Sequence, residues 1–151
     1  MLYAILAAAL VGLDQLVKVL VRLNITEGGS VPFLPHILQL TYYQNTGAAF
    51  SIFEEHTWIL ALISTAASVL IIVLMVKRTF DHPFAMTSLA LVLAGAVGNL
   101  IDRVFLGYVT DMFQTLFMNF PVFNVADICI VCGGIAFCVY FLLFCKEGDK
   151  A

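Results

Sequence analysis

Long apolar runs alternate with short polar breaks along this chain, and each break falls where a helix of membrane length would end. The first run covers Met1 to about Leu20. The second, Thr57 to Val76, stops at Lys77-Arg78, and the third, Phe84 to Phe105, follows the helix breaker Asp81-His82-Pro83. The fourth, Val125 to Phe144, stops at Cys145-Lys146. A helix of roughly 20 apolar residues crosses a hydrocarbon core roughly 30 Å thick. The pattern therefore predicts four spans, at about 1–20, 57–76, 84–105 and 125–144, within a single integral-membrane domain over 1–151. The first run lacks a basic leading region and carries Asp14 and Lys18, so it reads as a retained span rather than a cleavable signal.

The two longer breaks, 24–56 and 107–123, are not spans. Gly28-Gly29, Pro32 and Pro35 interrupt helix, and His36 to Tyr43 is rich in strand-forming residues, which predicts a short strand or two. Asn45-Thr46-Gly47 is a turn signal. An amphipathic strand here could lie on the membrane surface and cradle an extended peptide. Tyr108 to Phe113 alternates only weakly, and Gln114 to Phe120 is apolar enough for a short interfacial helix or loop that Pro121 ends. The expected fold is an all-α membrane protein, a four-transmembrane-helix bundle carrying a small extracytoplasmic β-cradle.

Composition agrees: 62% of residues are hydrophobic and 11% charged, with a net charge of −3 and no basic run, which disfavours nucleic acid as a partner. Lys77, Arg78, Lys146 and Lys150 flank the spans on one side, whereas 24–56 holds only Glu27, Glu54 and Glu55. The positive-inside rule then places both termini and the 77–83 loop in the cytoplasm and the long breaks outside. Trp58, with Tyr42, Tyr43, Phe50 and Phe53, suits the outer interfacial belt. Cys129, Cys132, Cys138 and Cys145 fall in or at the end of the last span, as small packing residues rather than a disulfide framework or a metal site. His36, His56 and His82 are scattered, which disfavours zinc. Ser51, Ser64 and Ser68 lack a neighbouring histidine, which disfavours a Ser-His triad.

Against this apolar background Asp14, Asp102, Asp111 and Asp127 stand out. A carboxylate at the bilayer centre costs roughly 2.5–3.5 kcal/mol on insertion scales, so each needs a partner, a helix end or a function. Asp14 and Lys18 lie i, i+4 on one helix face. Gly95, Asn99, Asp102 and Arg103 share a side of the third span, with Arg103 as the cation beside Asp102. These groups read either as a polar seam or as the wall of a site. Asp111 and Asp127 have no Lys or Arg within four residues. Taken singly, Asp111 reads as a solvated loop acid, and Asp127 as a first-turn acid behind an Asn124 N-cap. The apolar stretch between them should fold back and bring them together. Two close carboxylates share a proton, so one can activate water while the other polarises a carbonyl. A small proton-coupled transporter is the rival reading, since intramembrane Asp, Lys and Arg also mark ion pathways. It would predict acids spread through the depth of the bundle and an internal repeat, neither of which the sequence displays.

Asp14-Gln15-Leu16-Val17-Lys18, Asn45-Thr46-Gly47-Ala48-Ala49-Phe50, Gly95-Ala96-Val97-Gly98-Asn99 with Asp102-Arg103, Val109-Thr110-Asp111-Met112-Phe113 and Phe123-Asn124-Val125-Ala126-Asp127 together resemble the motif set of bacterial lipoprotein signal peptidase, signal peptidase II. The resemblance runs over nearly the whole chain in order. It implies an intramembrane aspartyl endopeptidase of the bacterial inner membrane that needs no cofactor. Such an enzyme removes signal peptides from diacylglyceryl-modified prolipoproteins, cutting just before the modified cysteine near the outer leaflet. It implies Asp111 and Asp127 as the catalytic pair, with Asp14, Lys18, Asn45, Gly47, Asn99, Arg103, Asn124 and Ala126 supporting or lining the site. Membrane lipids and the cyclic peptide inhibitor globomycin are the further implied partners. Ala94 stands where members of the family often carry a second glycine, and the stretch between the two aspartates is short for the family.

Overall fold

The computed structural model describes residues 1–47 and 57–144. The order along the chain is α1 (Leu2–Asn24), β1 (Ser30–Leu34), β2 (Leu38–Asn45), α2 (Thr57–Val76), α3 (Pro83–Leu106), β3 (Val109–Thr115) and α4 (Val125–Phe144). All four helices are long and apolar enough to cross a membrane. α1 continues past Leu20 to Asn24, because Arg22 and Asn24 turn their polar ends to partners at the sheet (Arg22) and to the helix's own backbone (Asn24).

α3 is the central helix: 56% of its apolar window is buried, against 17–22% for the other three. Its small residues permit this, since helices in lipid approach most closely where side chains are small. A Cβ at Gly95 would run into the Ala126 carbonyl and meet Ile130 Cγ1 at 2.6 Å, and one at Gly133 would lie 2.8 Å from the Ser88 carbonyl. α3 starts at His82, whose Nδ1 accepts from Phe84 N–H, with Pro83 in the first turn. It ends at Gly107, left-handed at φ +80 and therefore suited to glycine.

The strands form one antiparallel sheet in the order β1-β2-β3. β3 was hidden in the sequence because Val109, Thr110, Asp111 and Met112 are all buried, so no period-2 pattern forms. β1 contains Pro32, which the sequence reading treated only as a breaker; an edge strand tolerates proline because one row of its N–H groups goes unpaired. Between Leu40 and Tyr43 the β2–β3 register slips, placing Thr41 and Tyr42 opposite Met112 alone. Such bulges re-aim side chains. Tyr42 and Met112 pack with Val21 and Ile25, which seats the sheet on the end of α1. After β3 the chain turns back, and Phe123 pairs with Phe113 through N–H···O bonds of 2.8 and 3.1 Å. No helix forms between β3 and α4, so the expected interfacial element is a loop. Ala48, Ala49, Phe50, Ser51, Phe53, Glu54, Glu55, His56, Cys145, Lys146 and Lys150 lie outside the described residues.

Candidate functional site

The Phe113–Phe123 pairing delivers Asn124, and with it the start of α4, beside β3. Asn124 and Asp127 cap the helix reciprocally. Asp127 N–H donates to Asn124 Oδ1 at 2.9 Å, and Asn124 N–H donates to Asp127 Oδ2 at 3.1 Å. This is a capping box closed by an aspartate, satisfying two backbone donors that a helix start leaves open. Asn124 Nδ2 then reaches across to Asp111 Oδ1 at 2.6 Å. One asparagine thus ties both acids together.

Each carboxylate receives two donors. Asp111 Oδ2 accepts from Asn45 Nδ2 at 2.8 Å, and Asn45 Oδ1 accepts from Gly47 N–H at 3.0 Å. Asp127 Oδ1 accepts from Asn99 Nδ2 at 2.8 Å. Asp111 is 1% exposed and Asn124 fully buried. Burial, and then the charge of Asp127, push the Asp111 carboxyl from its ordinary 3.8 up to about 7. The Asn45 and Asn124 donors oppose that rise without cancelling it.

The remaining polar residues form a second buried layer behind the pair. Lys18 Nζ lies 2.9 Å from Asp14 Oδ2, 3.3 Å from Asp102 Oδ2 and 3.0 Å from Asn99 Oδ1. Asp14 Oδ1 accepts from Ala126 N–H at 2.9 Å, locking α1 to the first turn of α4. Asp102 Oδ2 accepts from Thr110 N–H at 2.9 Å, and Arg22 donates to Thr110 Oγ1 at 2.8 Å. The expected partnership of Asp102 with Arg103 is therefore replaced by Lys18, with Arg22 at 4.0 Å. Adjacent residues on a helix point about 100° apart, so sequence neighbours seldom pair. Arg103 turns instead to the Gly47 carbonyl at 3.4 Å and lines the cavity described next. Gln15, Arg22 and Thr110, which the sequence pattern does not single out, also hold this layer together. The spacing of 14, 18 and 22 at successive i+4 steps was the signal available for Arg22.

A cavity of about 690 Å³ opens on the pair. Asn45, Asn99, Arg103, Asp111 and Asp127 line its polar end, and residues such as Leu60, Ala67, Val92 and Val131 line an apolar wall between α2, α3 and α4. Two acids at the head of an apolar cavity, each with two donors and acceptor sites to spare, can hold a water between them and a carbonyl in front of it.

A family model described as Signal peptidase (SPase) II matches residues 6–143. The chain belongs to the signal peptidase II family. It is 47% identical to the lipoprotein signal peptidase of Enterococcus faecalis, over 98% of this chain and 94% of that one. It is 38% identical to that of Clostridioides difficile, over 95% and 97% of the two chains. A solved "bacterial membrane enzyme" structure superposes with a TM-score of 0.90 at 28% identity, covering 99% of this chain and 92% of the other. A second, at 29% identity, gives 0.85 over 94% and 93%. As a member of the signal peptidase II family the chain is a peptidase with a multi-pass membrane fold.

The Asp111 environment gives a stability prediction for this signal peptidase II family member. Because the folded carboxyl titrates near 7 and the unfolded one near 3.8, the folded state holds a proton that the unfolded chain has released between those values. Stability therefore falls as pH rises through that window and levels off above it. Asp111→Asn, which cannot ionise, should flatten this slope: the drop in Tm between pH 4.5 and pH 8 in detergent should shrink relative to the native chain.

Proposed function

We propose that the chain is an intramembrane aspartyl endopeptidase that removes signal peptides from diacylglyceryl-modified prolipoproteins, cutting just before the modified cysteine. The observation that carries this reading is the pairing of Asp111 and Asp127 through Asn124 at the polar head of an apolar cavity. The names of the relatives, lipoprotein signal peptidases, supply the substrate class.

In the proposed reaction the lipid-modified precursor reaches the pair sideways from the bilayer, and its extended segment lies against β2 and β3. Asp111, raised towards neutrality, is assigned the shared proton. It donates that proton to the scissile carbonyl oxygen as Asp127 takes one from the attacking water. The water oxygen bonds to the carbonyl carbon and gives a gem-diol. On collapse the C–N bond breaks, Asp127 passes its proton to the leaving nitrogen, and a gem-diol hydroxyl returns one to Asp111. Globomycin-like cyclic peptides would block the reaction by occupying the head of the cavity.

We place the protein in the bacterial cytoplasmic membrane, with both termini inside and the pair near the outer leaflet. Lys77 and Arg78 lie at the end of the bundle away from the sheet, while Arg22 and Arg103, at the sheet end, are engaged with Thr110 and Gly47. The exposed apolar side chains of Val31, Phe33, Leu34, Phe117 and Met118 suit a sheet lying at the lipid surface. The test is purified full chain in proteoliposomes, offered a diacylglyceryl-modified precursor and its unmodified form. Cleavage confined to the modified precursor, with mass spectrometry placing the new N-terminus at the modified cysteine, is the expected result. Proton-coupled solute flux without cleavage would establish the transporter reading instead.

A further inference from the structure

We propose that Lys18 is the positioning residue of the pair: acting through Asn99, it holds that amide with its hydrogens towards Asp127, and it brings the local charge balance to one shared proton. The inference rests on the dyad reading above and adds what gives the dyad its polarity.

The polarity follows from donor chemistry. An ammonium only donates, so the atom of Asn99 that faces Lys18 Nζ at 3.0 Å must be the carbonyl oxygen. The amide nitrogen of Asn99 must then face Asp127, as it does at 2.8 Å. The same Asn99 oxygen also takes Asn124 Nδ2 at 3.1 Å, which leaves Asn124 Oδ1 for the Asp127 N–H and its second amide hydrogen for Asp111. Lys18 orients Asn99, the Asp127 backbone N–H orients Asn124 in the same sense, and both amides present hydrogens to the acids. Without Lys18, Asn99 keeps only Asn124 Nδ2 to hold its oxygen away from Asp127, where only a protonated acid could meet that oxygen.

The balance follows from the groups that face the site. α1 brings Asp14, Lys18 and Arg22, and α3 brings Asp102 and Arg103. β3 brings Asp111, α4 brings Asp127 and the neutral thiols Cys129, beside Asp14, and Cys132, on the cavity wall, and the phenols Tyr42 and Tyr108 lie 2.9 Å apart on the sheet side. Among the lining residues α2 brings none that ionises. Asp14, Asp102 and Asp127 match Lys18, Arg22 and Arg103 charge for charge. Asp111 is the fourth acid, the one left without a cation of its own, so a single proton on it makes the cluster neutral. Lys18 lies 0% exposed behind the cavity and is not among its lining residues, so it does not touch substrate.

The experiment records the pH dependence of kcat and KM for the full chain in proteoliposomes, using a lipid-modified precursor, in the native form, Lys18→Met, Asp14→Asn and the double variant. Lys18→Met should lower kcat at least about tenfold with KM little changed, and move the profile up by about one pH unit, as loss of a nearby opposite charge does. Asp14→Asn keeps an acceptor for Ala126 N–H but removes a negative charge, and should move the profile down. The double variant should return the profile to the native position while kcat stays low, because the charge balance is restored and the amide orientation is not. Profiles that do not move, or single variants that shift in the same direction, overturn the proposal. If Lys18→Met does not accumulate folded, Asp14→Asn decides alone: a downward shift supports the proposal and an unmoved profile overturns it. Failure of the dyad reading is separate, since it would appear as turnover by Asp127→Asn whatever the profiles do.

Discussion

Asp127→Asn should lower kcat on a lipid-modified precursor by roughly a thousandfold or more, and Asp111→Asn should do the same. General acid–base groups each contribute roughly 10²–10⁴-fold, and members of one catalytic unit lose nearly everything singly. Asparagine preserves shape, so the two variants separate chemistry from packing. At position 127 it retains an acceptor for the Asn124 N–H or the Asn99 amide, but cannot take a proton from water. At position 111 it presents a hydrogen to one of two donors, Asn45 or Asn124, and has no proton to give the carbonyl. Both variants should accumulate in the membrane at native levels and still bind a peptide-like inhibitor at the cavity. The measurement is single-turnover cleavage across pH 5–9; substantial turnover by either variant would sink the assignment.

Gly95→Ala is the second large effect, and it acts at a distance from the chemistry. The added Cβ collides with the Ala126 carbonyl and comes within 3.1 Å of Ile130 N, both backbone groups of α4 that no rotamer change can clear. α4 must therefore shift at its first turn, where Ala126 N–H is held by Asp14 and Asp127 by Asn99. Overpacking of this kind costs about 1–3 kcal/mol. A displacement of roughly 1 Å at a catalytic group can cost about a hundredfold in rate. The expected outcome is a lower Tm in detergent together with a rate loss far larger than the stability loss accounts for. Gly134→Ala is the control: a Cβ there meets nothing within 4 Å, so both quantities should stay near native.

The four helices were legible because length and hydropathy are properties of a continuous stretch of chain. The fold-back between Asp111 and Asp127 was legible too, since an apolar segment between two membrane-edge positions has few places to go. Two things were not. β3 alternates only weakly, because both faces of Val109–Met112 are covered, one by α1 and the other by the site. Asp102 has Arg103 beside it in sequence but not as its partner in space, because adjacent residues on a helix point apart. Its real cation, Lys18, lies on another helix, and only packing of α1 on α3 through Gly98 reveals it. Gly98 itself leaves no room for a side chain, with Asp14 Oδ2 2.7 Å from where a Cβ would sit. Asn124 and Asn99 were visible as neighbours of acids. Their role as bridges depends on three elements meeting, which a one-dimensional reading does not contain.

The order in which the chain is made has a consequence of its own. Asp127 arrives on α4, the last described helix, whereas every other member of the cluster precedes it in synthesis. Until α4 inserts, Asn99 has no acid to donate to and Asp111 has neither Asn124 nor Asp127 beside it. On the dyad proposed above, a nascent chain with three helices in the membrane would be chemically inert, however complete its other side chains. Insertion of α4 would then complete the proposed machinery in a single step, the same step that gives Asp14 on α1 and Asn99 on α3 their α4 partners. Under that proposal maturation and activation would be the same event, and a half-made copy would lack the means to cut the signal helices that pass beside it during its own biogenesis.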